Sequence, residues 1–123
     1  MSLETIRLSQ QGRDQLIKLK RHTGIKHWNV LCRWALCTSL ADPTPPLVRD
    51  IVTDSNVEMN WKTFAGQYGP TNRALIKERA KREEGSSETD ALARSAHAHI
   101  HRGVGMLSGA PSPSIAGLIS NAL

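Results

Sequence analysis

Aromatic residues, cysteines and long apolar runs are all scarce in this sequence. Its 123 residues contain three Trp, one Tyr and one Phe, so the chain is expected to bury a single core of modest size. No apolar run approaches the roughly 18 residues that a membrane-spanning helix requires. The first residues do not show a basic stretch followed by an apolar one, which is the pattern of a secretory signal. We therefore expect one small cytoplasmic domain without a membrane partner.

Two cysteines are too few for the disulfide framework of a small secreted scaffold. Cys32 and Cys37 lie five residues apart in one predicted helix. At about 100° per residue they point in different directions, so they are not expected to bridge each other. Their spacing also matches neither a redox pair nor a metal-binding pair. The sequence predicts two free, buried thiols with a structural role.

Motifs for catalysis are absent as well. The chain has no nucleophile elbow, no Gly-rich phosphate loop and no pair of carboxylates at a useful spacing. His97, His99 and His101 alternate along a predicted helix, but only His97 and His101 share a face and no third ligand is evident. We predict a protein that is not an enzyme and holds no cofactor or metal. Its histidines are expected to form hydrogen bonds at a subunit interface or a helix end.

Positive charge is present, and it is concentrated at the start of the chain. The formal net charge at pH 7 is +5. Residues 1–40 account for all of it, because they hold seven Lys or Arg and only two acidic residues. The remaining residues hold nine basic and nine acidic side chains. A cationic excess confined to one segment is typical of proteins that bind a polyanion such as nucleic acid.

The same segment predicts a strand followed by two helices. Alternation over residues 4–8 favours a short strand. Ser9 is suited to cap a helix over residues 10–22, which Gly24 would close in the left-handed conformation. A second helix is expected over residues 26–40. Apolar residues surround that helix on every side, which predicts that it is fully buried, in part by a partner subunit.

The rest of the chain is less regular. It predicts a Pro-rich connector over residues 42–56 and a second strand over 57–62. Two further helices are expected over residues 70–84 and 88–102. The fold class that follows is mainly α.

The order of strand, helix and helix matches the ribbon-helix-helix plan. In that plan strands from two subunits pair, and the ribbon enters a DNA groove. We therefore predict an oligomer with a ribbon-helix-helix-like core, extended by two further helices. One domain would cover residues 1–107, and a flexible tail would cover 108–123, with a possible docking turn over 115–119. One functional interpretation is a transcription regulator that reads DNA through Thr5 and Arg7.

Three segments resemble the DndE family of bacterial DNA phosphorothioation systems, in which sulfur replaces a non-bridging phosphate oxygen of DNA. The segments are residues 16–40 (LIKLKRHTGIKHWNVLCRWALCTSL), 55–66 (SNVEMNWKTFAG) and 99–103 (HIHRG). The string WNVLCRW within the first segment is specific. The resemblance covers roughly residues 5–107.

The resemblance implies a homotetrameric, DNA-binding accessory subunit with a ribbon-helix-helix-like core. Its partners would be double-stranded DNA, preferably nicked, and the sulfur-inserting and ATP-hydrolysing subunits of the same system. Basic side chains would contact the DNA backbone.

The candidate DNA-binding residues flank the turn at Gly24. Cations near a helix C-terminus also favour the helix dipole without any ligand, but the family likeness favours phosphate contacts. A different class of function stays open, in which the basic face docks an acidic partner subunit and the protein serves as a scaffold. The candidates are Lys18, Lys20, Arg21 and Lys26, with Arg13 as a secondary member.

Overall fold

The structure is a computed structural model that describes residues 4–47 and 51–109. The prediction of a mainly helical chain is confirmed, while the predicted docking turn lies outside the described residues, as does the tail from residue 110 onward. Within the described part, no helix is both long enough and apolar enough to cross a bilayer. The elements are β1 (Thr5–Arg7), α1 (Gln10–Thr23), α2 (Trp28–Leu40), β2 (Glu58–Asn60), α3 (Trp61–Ala65), α4 (Gly69–Glu84) and α5 (Thr89–Ser108), with a 3-10 turn over Gly66–Tyr68.

The central element is α5, which packs against α1, α2 and α4. Thirteen of its 20 residues are buried, so α5 is the helix that the rest of the chain encloses. Many of the buried residues are Ala, Ser or Gly. Small side chains allow neighbouring helices to approach closely, and α5 gains burial in this way with few large apolar groups.

Gly103 marks the closest approach between α2 and α5. The sequence predicted that the last helix ends at residue 102, just before this glycine, and that end is wrong, because α5 continues to Ser108. A Cβ atom placed on Gly103 would lie only 1.8 Å from the backbone oxygen of Ala35. The two helix backbones therefore cross at a point that only glycine permits.

The second helix, α2, is buried on one side rather than on all sides. Leu31, Ala35 and Leu36 face the core, whereas Trp34 is half-buried and Cys37 is exposed. The single chain therefore leaves part of α2 uncovered, as expected if a partner subunit covers the rest, and that partner stays a prediction. The predicted burial of both thiols is wrong, because Cys37 is exposed. The reason is that α5 covers one face of α2, whereas on the opposite face the 3-10 turn and α4 leave an open groove beside Trp34 and Cys37.

The two strands pair with each other inside the chain. β1 and β2 are antiparallel, with Thr5 opposite Asn60 and Arg7 opposite Glu58. Ile6, the middle residue of β1, is buried in the core. In the predicted ribbon a second subunit supplies the partner strand, but here β2 occupies that position for one edge of β1.

The boundaries of α1 and α4 follow the predicted caps. The Ser9 side chain accepts a hydrogen bond from the backbone N–H of Gly12 at 3.0 Å, which fixes the start of α1. Gly24 closes α1 and Gly85 closes α4, both in the left-handed conformation. The predicted helices over residues 10–22 and 70–84 are therefore confirmed to within one residue at each end. At the start of α5, Glu88 precedes the helix without a side-chain capping hydrogen bond.

The predicted second strand is cut short by a helix that the sequence analysis missed. The Asn60 side chain accepts a hydrogen bond from the backbone N–H of Thr63 at 2.7 Å and starts α3. Trp61 therefore begins a helix instead of continuing the alternation. An asparagine within an alternating stretch acts here as a helix cap.

Two arginines hold the Pro-rich connector against the helices. Arg79 donates hydrogen bonds to the carbonyl oxygens of Leu40 and Asp42, each at 2.8 Å. Arg102 donates to the carbonyl oxygens of Ser39 and Thr44, each at 2.8 Å. The connector is thus fastened by charge-assisted hydrogen bonds to its backbone, and both cations serve the fold.

Candidate nucleic-acid interface

The turn between α1 and α2 displays the candidate cations. Gly24 has φ +75° and its N–H donates to the Lys20 carbonyl oxygen at 3.0 Å, which reverses the chain in few residues. Gly24 is exposed, and a Cβ on it would meet nothing within 4 Å. An approaching ligand can therefore reach the backbone here. We call the side chains around this glycine the basic turn, and they are Lys20, Arg21, His22, Lys26 and His27.

Most of the basic turn faces solvent. Arg21, His22, Lys26 and His27 are exposed, and Lys20 is half-buried. The two histidines were not among the predicted site residues, although their position next to Gly24 was visible in the sequence. The structure therefore brings three of the five predicted DNA-binding residues together, with two additional imidazole rings beside them.

Lys20 is oriented by an aromatic ring. Its Nζ lies 3.9 Å from the centroid of the Trp28 ring, a cation–π contact between the end of α1 and the start of α2. This contact restrains a side chain that would otherwise sample many rotamers, and it connects the two sides of the basic turn. Trp28 thus helps to position Lys20 within the basic turn.

The start of α2 adds donor groups to the same turn. His27 precedes the helix and forms no side-chain capping hydrogen bond. The first backbone N–H groups of a helix have no partners within it, and together with the helix dipole they favour an anion. With Lys26 immediately before them, these groups extend the electropositive character of the basic turn.

Lys18 and Arg13 are engaged elsewhere. The Nζ of Lys18 donates to the carbonyl oxygen of Ser108 at 2.9 Å, at the carboxyl end of α5. The Nε of Arg13 donates to the Asn56 side chain at 2.9 Å. The structure therefore separates these two predicted site residues from the basic turn and gives each a contact that stabilises the fold.

The two thiols occupy different environments. Cys32 is completely buried, and burial raises its pKa to about 12. Partial burial also raises the pKa of Cys37, but the Arg33 guanidinium opposes that rise. Cys37 is therefore the more accessible thiol and the one with a cation near it.

His97 and His101 join α5 to the start of the chain. The Nε2 of His101 accepts the backbone N–H of Ser9 at 2.9 Å, and the Nε2 of His97 accepts that of Arg7 at 3.4 Å. Each Nδ1 donates to a carbonyl oxygen of α5, that of Ala93 or His97. Burial lowers the pKa of both histidines. They are neutral structural groups, and their partners lie within the chain rather than across an interface.

His99 belongs to a separate buried network. Its Nδ1 lies 2.7 Å from the Ser39 hydroxyl, and its Nε2 lies 3.0 Å from a carboxylate oxygen of Glu83. Arg79 forms an ion pair with the same carboxylate at 2.9 Å. Burial is the main reason that the pKa of His99 is lowered. Over residues 4–47 and 51–109, no three His, Cys, Asp or Glu side chains are grouped to hold a metal ion.

An apolar groove lies beside the outward face of α2. Its volume is about 480 Å³, and α2 lines it together with residues of the 3-10 turn and α4. Tyr68 and Leu75 border it with 58% and 47% of their surface exposed, which is high for large apolar side chains. Arg33 also lines the groove and donates to the Phe64 carbonyl oxygen at 3.2 Å. This hydrogen bond joins α2 to the last turn of α3.

These features define a class of protein, a small and mainly helical one with cations displayed on a solvent-exposed interhelical turn. The sequence profile of the DNA sulphur modification protein DndE matches residues 5–114. The chain therefore belongs to the DndE family, which confirms the family resemblance read from the sequence. No curated protein sequence matches it.

Solved structures agree with this assignment. A crystal structure of DndE from Escherichia coli B7A, described as involved in DNA phosphorothioation modification, matches with a TM-score of 0.69 and 26% identity. The match covers 87% of this chain and 99% of that one. A glycine-to-lysine double mutant of DndE involved in DNA phosphorothioation matches with a TM-score of 0.64, 20% identity and coverage of 84% and 96%. At that identity the second match shows the shared fold alone.

Proposed function

We propose that this chain is a non-catalytic, DNA-binding subunit of a bacterial DNA phosphorothioation system. It binds duplex DNA, preferably nicked, through the phosphate backbone. The observation that carries this proposal is the basic turn, where exposed cations surround a backbone left open at Gly24. Membership of a DNA sulphur modification family makes DNA the polyanion that these cations meet.

The chemistry of the basic turn favours backbone contacts over base readout. Its ligand-binding groups are cationic side chains and unpaired N–H groups at the start of α2, all of which suit phosphate oxygens. Asn29 at the start of α2 carries an amide of the kind that pairs with base edges, but that amide donates to the Thr63 carbonyl oxygen at 3.2 Å. A nick removes the stacking continuity of one strand, so the duplex bends at lower cost to bring several phosphates into contact with the protein. A preference for nicked duplex follows from that lower cost.

We also propose that the chain self-associates into a homotetramer. The half-buried face of α2 and the exposed Tyr68 and Leu75 around the groove provide apolar surface for subunit contact. An oligomer also repeats the basic turn in several copies. Several weak phosphate contacts on one duplex then act together, because each later contact forms at a high effective concentration.

The test is a titration of intact and nicked duplex over a series of salt concentrations. Lys20, Arg21 and Lys26 are replaced by Gln one at a time. Each substitution should weaken binding, and the slope of log affinity against log salt should fall by about 0.9 for each phosphate that the variant no longer neutralises. Lys18→Gln and Arg13→Gln should have smaller effects on the slope, because those side chains have partners within the fold.

Arg82→Gln is a matched control for these single variants. It removes the same charge from an exposed arginine that Glu78 already pairs with. The proposal fails if the Lys20, Arg21 and Lys26 variants keep both the affinity and the salt slope of the wild type. Analytical ultracentrifugation of the same samples tests the tetramer, and a monomer at all concentrations would contradict that part.

The scaffold function remains the second candidate, because the exposed cations of the basic turn also suit the carboxylates of an acidic partner subunit. An acidic partner subunit bound to the basic turn would compete with DNA for the same cations. The regulator function has less support, since Arg7 is already ion-paired with Glu58 in the sheet. A strong preference for one operator sequence over random duplex would favour the regulator.

A further inference from the structure

Helix α4 carries a second group of cations that lies apart from the basic turn. Arg73, Lys77 and Lys81 are spaced four residues apart, and all three are exposed. Residues at this spacing lie above one another on a helix surface. At a rise of about 1.5 Å per residue, neighbours in the row are about 6 Å apart along the axis and the whole row extends over about 12 Å.

Acidic side chains do not neutralise this row. Among the residues that the structure describes, no carboxylate lies within ion-pair distance of Lys77 or Lys81. Glu78 is paired with Arg82 instead. Glu84, which follows Lys81 on the same flank of the helix, forms an ion pair with Arg94 of α5 at 3.1 Å.

The row also lies away from the groove. At about 100° per residue, its members are rotated by roughly 160–240° around the helix from Leu75, which lines the groove. A subunit packed over the groove would therefore leave the row facing solvent. At the start of the row, the guanidinium of Arg73 lies 5.9 Å from the centroid of the Trp61 ring, close to the limit for a cation–π contact.

We propose that Arg73, Lys77 and Lys81 form a second surface for the backbone phosphates of nucleic acid. One strand of B-form DNA places a phosphate at about every 3.4 Å along the axis, so a row of about 12 Å spans three or four of them. The inference rests on the DNA binding proposed above and extends it to a part of the chain whose charges sum to zero. The row is electropositive because the acidic partners of this segment are directed elsewhere.

The first experiment measures the binding of a nicked duplex to the full-length triple variant R73Q/K77Q/K81Q. If one row is engaged, the slope of log affinity against log salt should fall by about 2.7. The decrease in affinity between about 50 and 200 mM salt should then be roughly 40-fold smaller than in the wild type. Gln keeps a long polar side chain and good helix propensity, and circular dichroism checks that each variant is folded.

A charge-matched pair of single variants separates the row from general electrostatics. Lys77→Glu and Arg82→Glu change the net charge by the same amount, at exposed positions of the same helix but on different flanks. Lys77→Glu should weaken DNA binding at least tenfold more than Arg82→Glu. Equal effects of the two variants, or an unchanged salt slope in R73Q/K77Q/K81Q, would overturn the inference.

This outcome is distinct from a failure of the proposed function. If the wild type does not bind duplex DNA at all, the proposed function is wrong and the row has no such ligand. If the wild type binds DNA and only the variants of the basic turn weaken it, the proposed function stands and the second surface is refuted. Weaker binding in both sets of variants supports the two surfaces together.

Discussion

Gly103 offers a direct test of how α2 and α5 are packed. In a Gly103→Ala protein, the new Cβ would lie 1.8 Å from the backbone oxygen and 2.8 Å from the Cα of Ala35. Non-bonded heavy atoms prefer separations of about 3.5–4.0 Å. The atoms of Ala35 belong to a helix backbone and cannot rotate away as a side chain would, so the two helices would have to move apart.

The expected destabilisation follows from two opposing effects. Overpacking a core costs about 1–3 kcal/mol and occasionally more, and a clash with backbone belongs at the upper end of that range. Alanine in place of glycine within a helix recovers about 1 kcal/mol. We therefore expect the free energy of unfolding to fall by about 2 kcal/mol, which lowers Tm by roughly 8 °C for a domain of this size.

Urea denaturation monitored by circular dichroism measures this change, and Gly105→Ala is the matched control. Gly105 lies two residues further along the same helix, and a Cβ there would come no closer than 3.9 Å to the Gln15 side chain. This variant should be as stable as the wild type or gain up to about 1 kcal/mol. If Gly103→Ala is as stable as Gly105→Ala, the close crossing of α2 and α5 is refuted.

Two further predictions follow from the buried histidines and from the contrast between the two thiols. Burial lowers the pKa of His97 and His101, so the unfolded chain binds protons before the native state does as the pH falls through about 6.5. The free energy of unfolding should then decrease by up to about 1.4 kcal/mol per pH unit for each histidine, and a flat profile in urea denaturation between about pH 8 and 5.5 would contradict the argument. In the dilute native protein an alkylating reagent should modify Cys37 and spare Cys32, whose burial raises its pKa to about 12. Mass spectrometry of the products measures this order, and equal rates for the two thiols would disprove it.

Features with strong local signals could be predicted from the sequence. Ser9 and Gly24 define α1 because a hydroxyl cap and a left-handed glycine act on their own neighbours, whatever the rest of the chain does. The basic turn was visible for the same reason, since Lys20, Arg21 and Lys26 flank that glycine. Local chemistry is thus sufficient to locate the candidate site without tertiary structure.

Features that depend on packing partners could not be predicted in this way. Apolar residues on every side of α2 suggested enclosure, yet the central helix is α5, whose Ala, Ser and Gly residues gave a weak hydropathy signal. The role of Gly103 depends on Ala35, which is distant in sequence. Likewise, the contact of Lys18 with Ser108 and that of Arg13 with Asn56 become apparent only when the elements are assembled.

The arrangement around α5 also explains how a short turn can act as a rigid binding element. On the α1 side, His101 and Lys18 connect the helix and its cap to α5, while on the α2 side Gly103 places α5 directly against the helix backbone. Both helices that border the basic turn are thereby fixed to one support, and the contact of Lys20 with Trp28 joins them at the turn itself. Binding then loses little conformational entropy in the backbone, which is the main cost when a flexible loop contacts a ligand. A few cations on a preorganised turn, repeated in the oligomer that we propose, would therefore be a sufficient basis for the proposed DNA affinity.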